Sequence, residues 1–300
     1  VKQTLRTLLS GAIDYAGLFP PEKLDMATSM RNYAGYLSGP RAWALGRFVV
    51  PVSRLEEFNF HIGDIESGGK ARDVRLSAVI GHDVEGDFEK VGRFNRWHAE
   101  RDRRLAAVID AVDVKAAFPD TVMRVSQAAP DSLTVFFEVP VEQDTGELVS
   151  AIAHVGGAAK ARTGGGSPDM FPPAQRVVRL LGACLEAGVP FKATGGLHYP
   201  LRGVRPVSNG ADAPKTVMYG FLNLLLCAAF MYDGIGAEEA VGVLTEESAD
   251  GFFFDDEGVV WRNKRVTIEN LAAVRRDFAL SFGSASFEEP MDHLGGLDPE

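Results

Sequence analysis

Two lysines carry the chemistry that this chain announces most clearly. Lys160 and Lys192 each stand in a short apolar stretch, 158–162 and 190–194, and each stretch runs directly into a glycine-rich turn. A lysine drawn out of water beside a second positive charge loses its proton more readily, and the neutral amine attacks carbonyl carbon. If the two stretches are neighbouring strands, each lysine supplies that second charge to the other, so both are expected to have depressed pKa values. Asp110 closes another apolar stretch, where a carboxylate facing a reactive lysine would relay protons. The plainer alternative is a pair of ion-pair struts, Lys160 with Asp110 or Lys192 with Glu138, which stabilise without reacting.

Around this set lie groups suited to holding a small substrate. Asp14, Glu138, Arg162 and Thr194 fall at or near the ends of apolar stretches, and His198 follows Gly195-Gly196-Leu197. Arg162 is a fork for a carboxylate or phosphate, or else another strut. Three turns, Thr163-Gly164-Gly165-Gly166, Gly195-Gly196 and Gly283-Ser284, allow backbone N–H groups to approach an anion closely. An anion site built from Arg162, Gly195, Gly196, Gly283 and Ser284 is expected.

The elements that must position these residues follow from periodicity. Apolar strands at 12–15, 47–50, 75–80, 105–110, 133–138, 158–162, 190–194 and 278–282 alternate with amphipathic helical stretches, as in an α/β (β/α)8 barrel. Residues alternate sides along a strand, so Lys160 with Arg162 and Lys192 with Thr194 face the interior, while Ala159, Ala161, Phe191 and Ala193 face the helices. Leu148, Ile152 and Val155 trace one helix face, and Phe88, Val91 and Phe94 another, which His98 continues as a packed side chain. Prolines 172 and 173 open a helix that Gly188 ends. Residues 251–266, with Phe252 to Phe254, Asp255-Asp256-Glu257-Gly258 and Val259 to Trp261, read as an inserted β-hairpin. The other reading makes them the eighth strand in place of 278–282.

With 300 residues, 46% apolar and 24% charged, and no linker or low-complexity tract, the chain is expected to form one domain, 1–300, although two small domains fit the length. A net charge of −10 speaks against nucleic acid and anionic membranes as partners. The Arg101, Arg103, Arg104 cluster is interleaved with Glu100 and Asp102 and reads as a solvated helix end. Two cysteines, Cys184 and Cys227, read as buried free thiols in a reducing, cytoplasmic setting. The run from Phe221 to Tyr232 is too short to cross a bilayer, and no signal peptide is evident. His61, His82 and His154 lack metal-ligand spacing, so neither metal nor cofactor is expected. Glu288-Glu289 reads as solvated surface, and a homo-oligomer is compatible with all of this.

Several strings resemble the deoxyribose-phosphate aldolases of the class I aldolase superfamily, in order along most of the chain. Ile13-Asp14-Tyr15-Ala16-Gly17-Leu18 is similar to that family's opening strand, Ile109-Asp110-Ala111-Val112 to its aspartate-bearing strand, and Phe137-Glu138 to its fifth. Lys160-Ala161-Arg162-Thr163-Gly164 resembles its Lys-Thr-Ser-Thr-Gly, and Phe191-Lys192-Ala193-Thr194-Gly195-Gly196 its Lys-x-x-Gly-Gly. The resemblance implies a TIM barrel in which Lys160 forms a Schiff base, Lys192 tunes it and Asp110 assists proton transfer. It also places strand eight at Phe282-Gly283-Ser284-Ala285-Ser286, where Ser286 remains of a phosphate loop. Arg162 replaces a serine and His198 an arginine, which implies a different small carbonyl substrate bearing an anionic group. The implied activity is that of a class I, metal-independent lyase. A cofactor-free isomerase or decarboxylase using the lysines as acid and base competes with it, as does a silent barrel that binds a small anion or a partner.

Overall fold

The structure is a computed structural model that describes residues 2–66, 74–100, 107–142, 145–207 and 212–295. Eight parallel strands close into a barrel: β1 Ile13–Tyr15, β2 Leu45–Pro51, β3 Val74–Val79, β4 Ala107–Lys115, β5 Thr134–Val139, β6 Ala158–Arg162, β7 Phe191–Thr194 and β8 Ala279–Ser284. Each strand pairs with the next in sequence except β7, which meets β8 after a long excursion, and β8 closes onto β1. The outward residues form the main core with the surrounding helices: Leu76 and Ala78, Ala159 and Ala161, and Phe191 and Ala193 all belong to it. Ala111, Phe136 and Ala158 with Leu280 form a small apolar group on the inner wall, and Val49 and Val79, register partners of Ser77 and Asp113, share that side. Beside them stand charged and polar side chains, Asp14, Ser77, Asp113, Glu138, Lys160 and Lys192, in a space usually occupied by branched apolar side chains.

Helix boundaries have local causes. Helix Ala174–Glu186 ends at Gly188, whose φ of 66° lets its own N–H reach Leu185 O and the next N–H reach Cys184 O. Helix Val84–Ala99 begins at Asp83, which caps Gly86 N, and buries Phe88, Val91, Phe94 and His98. His98 packs on Phe94 and bonds Asn59, as its position on that face predicts. Helix Gly146–His154 buries Leu148 and Ile152 on one side.

Residues 252–267 lie outside the barrel, which decides the eighth strand in favour of β8. They form three antiparallel strands, Phe252–Phe254, Gly258–Trp261 and Lys264–Thr267, one more than a hairpin. Asp255 organises the first turn by accepting from Glu257 N and Gly258 N. This sheet and helix Ala237–Leu244 explain helix Phe221–Tyr232, which is apolar on every side but for Asn223 and buried along Phe221 to Met231. Fully buried Trp261 meets Phe230, and Asn223 bonds Val243 O and Glu246 O. A second excursion after β7 makes the hairpin Gly203–Pro206 with Lys215–Met218. Among the described residues no helix is long and apolar enough to cross a membrane. Cys184 and Cys227 are free and buried, and burial pushes both thiols up to about 12. The arginine cluster 101, 103 and 104 lies outside the described residues, as does Leu105, the expected start of β4.

Candidate functional site

Lys160 and Lys192 are register partners on β6 and β7, and both reach into the barrel near the carboxyl ends of its strands. The group that joins them is Asp113 on β4. Its Oδ2 lies 3.1 Å from Lys160 Nζ, and its Oδ1 pairs with Lys192 Nζ and accepts from Ser77 Oγ at 3.0 Å. Lys192 is sealed in: it is 3% exposed, donates to Ser77 Oγ at 3.1 Å, lies 3.8 Å from Asp14 Oδ2, and stands 4.4 Å above the Phe136 ring. Asp14 is fully buried as well, held by Arg47 N at 2.9 Å and Ser281 Oγ at 2.8 Å. Lys160 stands nearer the mouth, with Glu138 Oε2 at 3.0 Å. Arg162 grips the other Glu138 oxygen through Nε and Nη2 at 3.0 and 2.9 Å.

This geometry corrects the expected acid. Asp110 is not between the lysines. It lies lower in the barrel, bonded to Arg47 Nε at 2.6 Å and Arg75 Nε at 2.6 Å. The cause is a bulge: Ile109 pairs with Leu76 and Ala111 with Ser77, so Asp110 is an extra residue and β4 continues to Lys115. Asp113, in the same apolar run, occupies the place assigned to Asp110. Its only signal in the sequence is a second carboxylate flanked by Val112 and Val114. Ser77, also missed, is a lone hydroxyl inside the apolar β3.

The expected depression of Lys160 is corrected too. Burial works to lower the Lys160 value, but the Asp113 and Glu138 carboxylates outweigh it and hold the ammonium above the ordinary lysine range. Burial likewise opposes ionisation of Asp113, yet the two lysines hold its carboxyl down to about 2. Glu138 is lowered by Lys160 and Arg162 against its own burial. The like charges are therefore bridged. Of the expected struts, neither named pair forms, and Glu138 pairs with Lys160 instead of Lys192.

A cleft of about 360 Å³ opens onto this network from the carboxyl ends of β3 to β6, and Asp113, Glu138 and Lys160 line it. Lys192, Arg47 and Asp110 do not. The cleft's outer wall holds Gly81, His82, Lys115, Thr121 and Arg124.

The glycine turns have a packing role. Gly195 has φ +87°, and a Cβ there would lie 2.2 Å from Gly164 O. Gly196 has φ +75°, and its Cβ would lie 2.5 Å from the Phe171 ring. Thr163 Oγ1 donates to Gly195 O at 2.8 Å, so the β6 and β7 turns are sewn to each other. Thr194 pairs with Arg162 and Gly283 in register. Ser284 Oγ is buried without a partner, whereas Ser286 Oγ caps Glu289 N in helix Glu288–Gly295. His198 Nδ1 lies 2.9 Å from Glu289 Oε2, so Glu289, expected as solvated surface, is half-buried and held low by that contact against its burial. Among the described residues no group of His, Cys, Asp and Glu side chains is placed to hold a metal ion. No protein-family model matches the chain, and no curated protein matches it.

Proposed function

We propose that this protein is a class I, metal-independent lyase of the aldolase kind, which makes or breaks a carbon–carbon bond beside a small carbonyl group through an imine on Lys160. The observation that carries this reading is the position of Lys160 Nζ, in the lining of the cleft and within 3.1 Å of two carboxylates. Condensation of an ammonium with a carbonyl yields a protonated imine and one water, so the positive charge stays in place. Asp113 and Glu138, which hold the ammonium, are equally placed to hold the iminium. Either carboxylate accepts the proton that leaves Nζ during attack, and returns it as the carbonyl oxygen departs. When the adjacent carbon–carbon bond breaks, its electrons neutralise the iminium, and the same carboxylates receive the hydroxyl proton. Lys192 lines no part of the cleft; it keeps Asp113 ionised and oriented.

One observation favours a second reading. A Lys160 value raised above the ordinary range suits a proton donor that stays an ammonium, as in a cofactor-free isomerase or decarboxylase. The two are separated by incubating the protein with a panel of aldehydes and 2-oxo acids, reducing with borohydride and mapping the peptides. A reduced adduct on Lys160 supports the imine. An adduct on Lys192 reverses the roles, and turnover without any adduct selects the non-covalent reading. Binding without turnover leaves a small-molecule-binding barrel.

A further inference from the structure

The charge balance inside the cleft shows where a substrate anion would sit. Its two carboxylates are already matched: Asp113 by Lys160 and Lys192, and Glu138 by Lys160 and Arg162. Two further cations line the same cleft, Lys115 at the end of β4 and Arg124 on helix Pro119–Ala128, with His82 following β3. Both cations are exposed, and neither has an ion-pair partner among the described residues. An unmatched pair of cations on the wall of a cleft, in a chain whose net charge is −10, is a local reversal of sign. Such a reversal draws anions selectively to that wall. Thr121, one helical turn before Arg124, adds a hydroxyl to the same lining.

The site expected from glycine turns is less suited. Both Arg162 donors that reach Glu138 are engaged with one oxygen, and Gly195 and Gly196 closely approach Gly164 and Phe171. We infer that the cleft carries an anion subsite on its β3–β5 side, formed by Lys115 and Arg124 with Thr121 and His82. It selects small carbonyl compounds bearing a carboxylate or phosphate a few bonds from the carbon that meets Lys160. The guanidinium of Arg124 grips two anion oxygens, Lys115 adds a point charge, and the carbonyl is thereby aimed at Lys160. The choice of substrate rests on the imine reading, but the subsite itself does not.

The test is direct binding of inorganic phosphate and of malonate to the intact protein, followed by titration calorimetry at low ionic strength. The comparison includes Arg124→Ala, Lys115→Ala, and Arg162→Ala as the control on the other side of the mouth. At least one anion should bind the wild type. The Arg124 and Lys115 variants should each weaken it by about tenfold, the effect of one charge-assisted hydrogen bond, while Arg162→Ala leaves it within about twofold. Arg124→Lys should restore part of the loss. Tighter phosphate than malonate binding assigns phosphorylated substrates, and the reverse assigns carboxylates. Because Lys115 and Arg124 are exposed and Arg162 is partly so, circular dichroism should be unchanged. Absence of binding by either anion, or equal binding by the wild type and both variants, overturns the subsite. A subsite that passes while no carbonyl is ever trapped overturns the imine and leaves the subsite standing.

Discussion

Two ion clusters share the inside of this barrel, and they are built from different cations. The lower one joins Arg47 and Arg75 to Asp110; the upper one joins Lys160 and Lys192 to Asp113, Glu138 and Asp14. An arginine keeps its charge at any pH a protein meets and matches a carboxylate with a rigid fork, so the lower cluster is a brace. A lysine gives up a proton when its surroundings demand it, and only the upper cluster opens onto the cleft. Similar charge pairing on one sheet thus yields a strut where the cation is an arginine away from this cleft, and a candidate reaction centre where a lysine that can give up its proton lines it. The same contrast separates Asp110 from Asp113, three residues apart on one strand.

The largest effect that would break this contrast is at Lys160. Lys160→Met should abolish turnover and borohydride-trapped adduct alike with any carbonyl the wild type accepts, and full retention of activity would remove the reaction centre from the upper cluster. Next is the paired exchange of the aspartates. Asp113→Asn should lower kcat by about 10²–10⁴-fold, the usual range for a lost proton-transfer group. Asp110→Asn should leave kcat within a small factor and cost about 2 kcal/mol of stability. That is below the value of a fully buried pair because the Asp110 side chain keeps 24% of its exposure. Kinetics and a denaturant melt on both variants would show whether the two aspartates differ in this way.

The pH dependence of stability sharpens it further. Asp113, held at about 2 in the fold, contributes stability above its ordinary 3.8, and the contribution is lost as pH falls toward 2. Lys160, held above its ordinary 10.5, contributes fully below that value and loses the contribution as pH rises past it. Melting temperature should therefore fall at both extremes. Glu138→Gln, by removing one of the two carboxylates on Lys160, should bring the alkaline fall to lower pH. An unmoved alkaline limb would show that Glu138 does not hold the ammonium. The smallest effect is at Arg162, whose side chain is 38% exposed and shares Glu138 with Lys160. Arg162→Ala should cost under about 1 kcal/mol in a thermal melt.

Much of this molecule is legible in its residue pattern. Periodicity locates the first seven barrel strands and leaves two candidates for the eighth, between which the resemblance at Phe282 to Ser286 chooses, and the inward direction of both lysines follows from alternation against Ala159, Ala161, Phe191 and Ala193. Gly188 and the polar turn at Asp255 locate their boundaries because a positive φ and an Asx-type turn each demand particular residues. The separate sheet at 252–267 is visible as a hairpin. Its third strand, Lys264–Thr267, is not, because Lys264, Arg265 and Thr267 carry no alternating apolar signal to mark it.

What the sequence by itself determined is therefore the barrel strands, the side on which the two lysines lie, and their place on consecutive strands, since these depend mostly on local periodicity. The tertiary structure alone decided which carboxylate meets them. Asp110 and Asp113 lie in one uninterrupted apolar run, and nothing local distinguishes them. The bulge that sends Asp110 down to Arg47 and Arg75 exists only where β4 is laid against β3. The same holds for charge state: two neighbouring lysines predict mutual repulsion, but Asp113 arrives from a strand 47 residues before Lys160 in sequence and bridges them. Electrostatic energy depends on distance in space, and that distance is set by barrel closure.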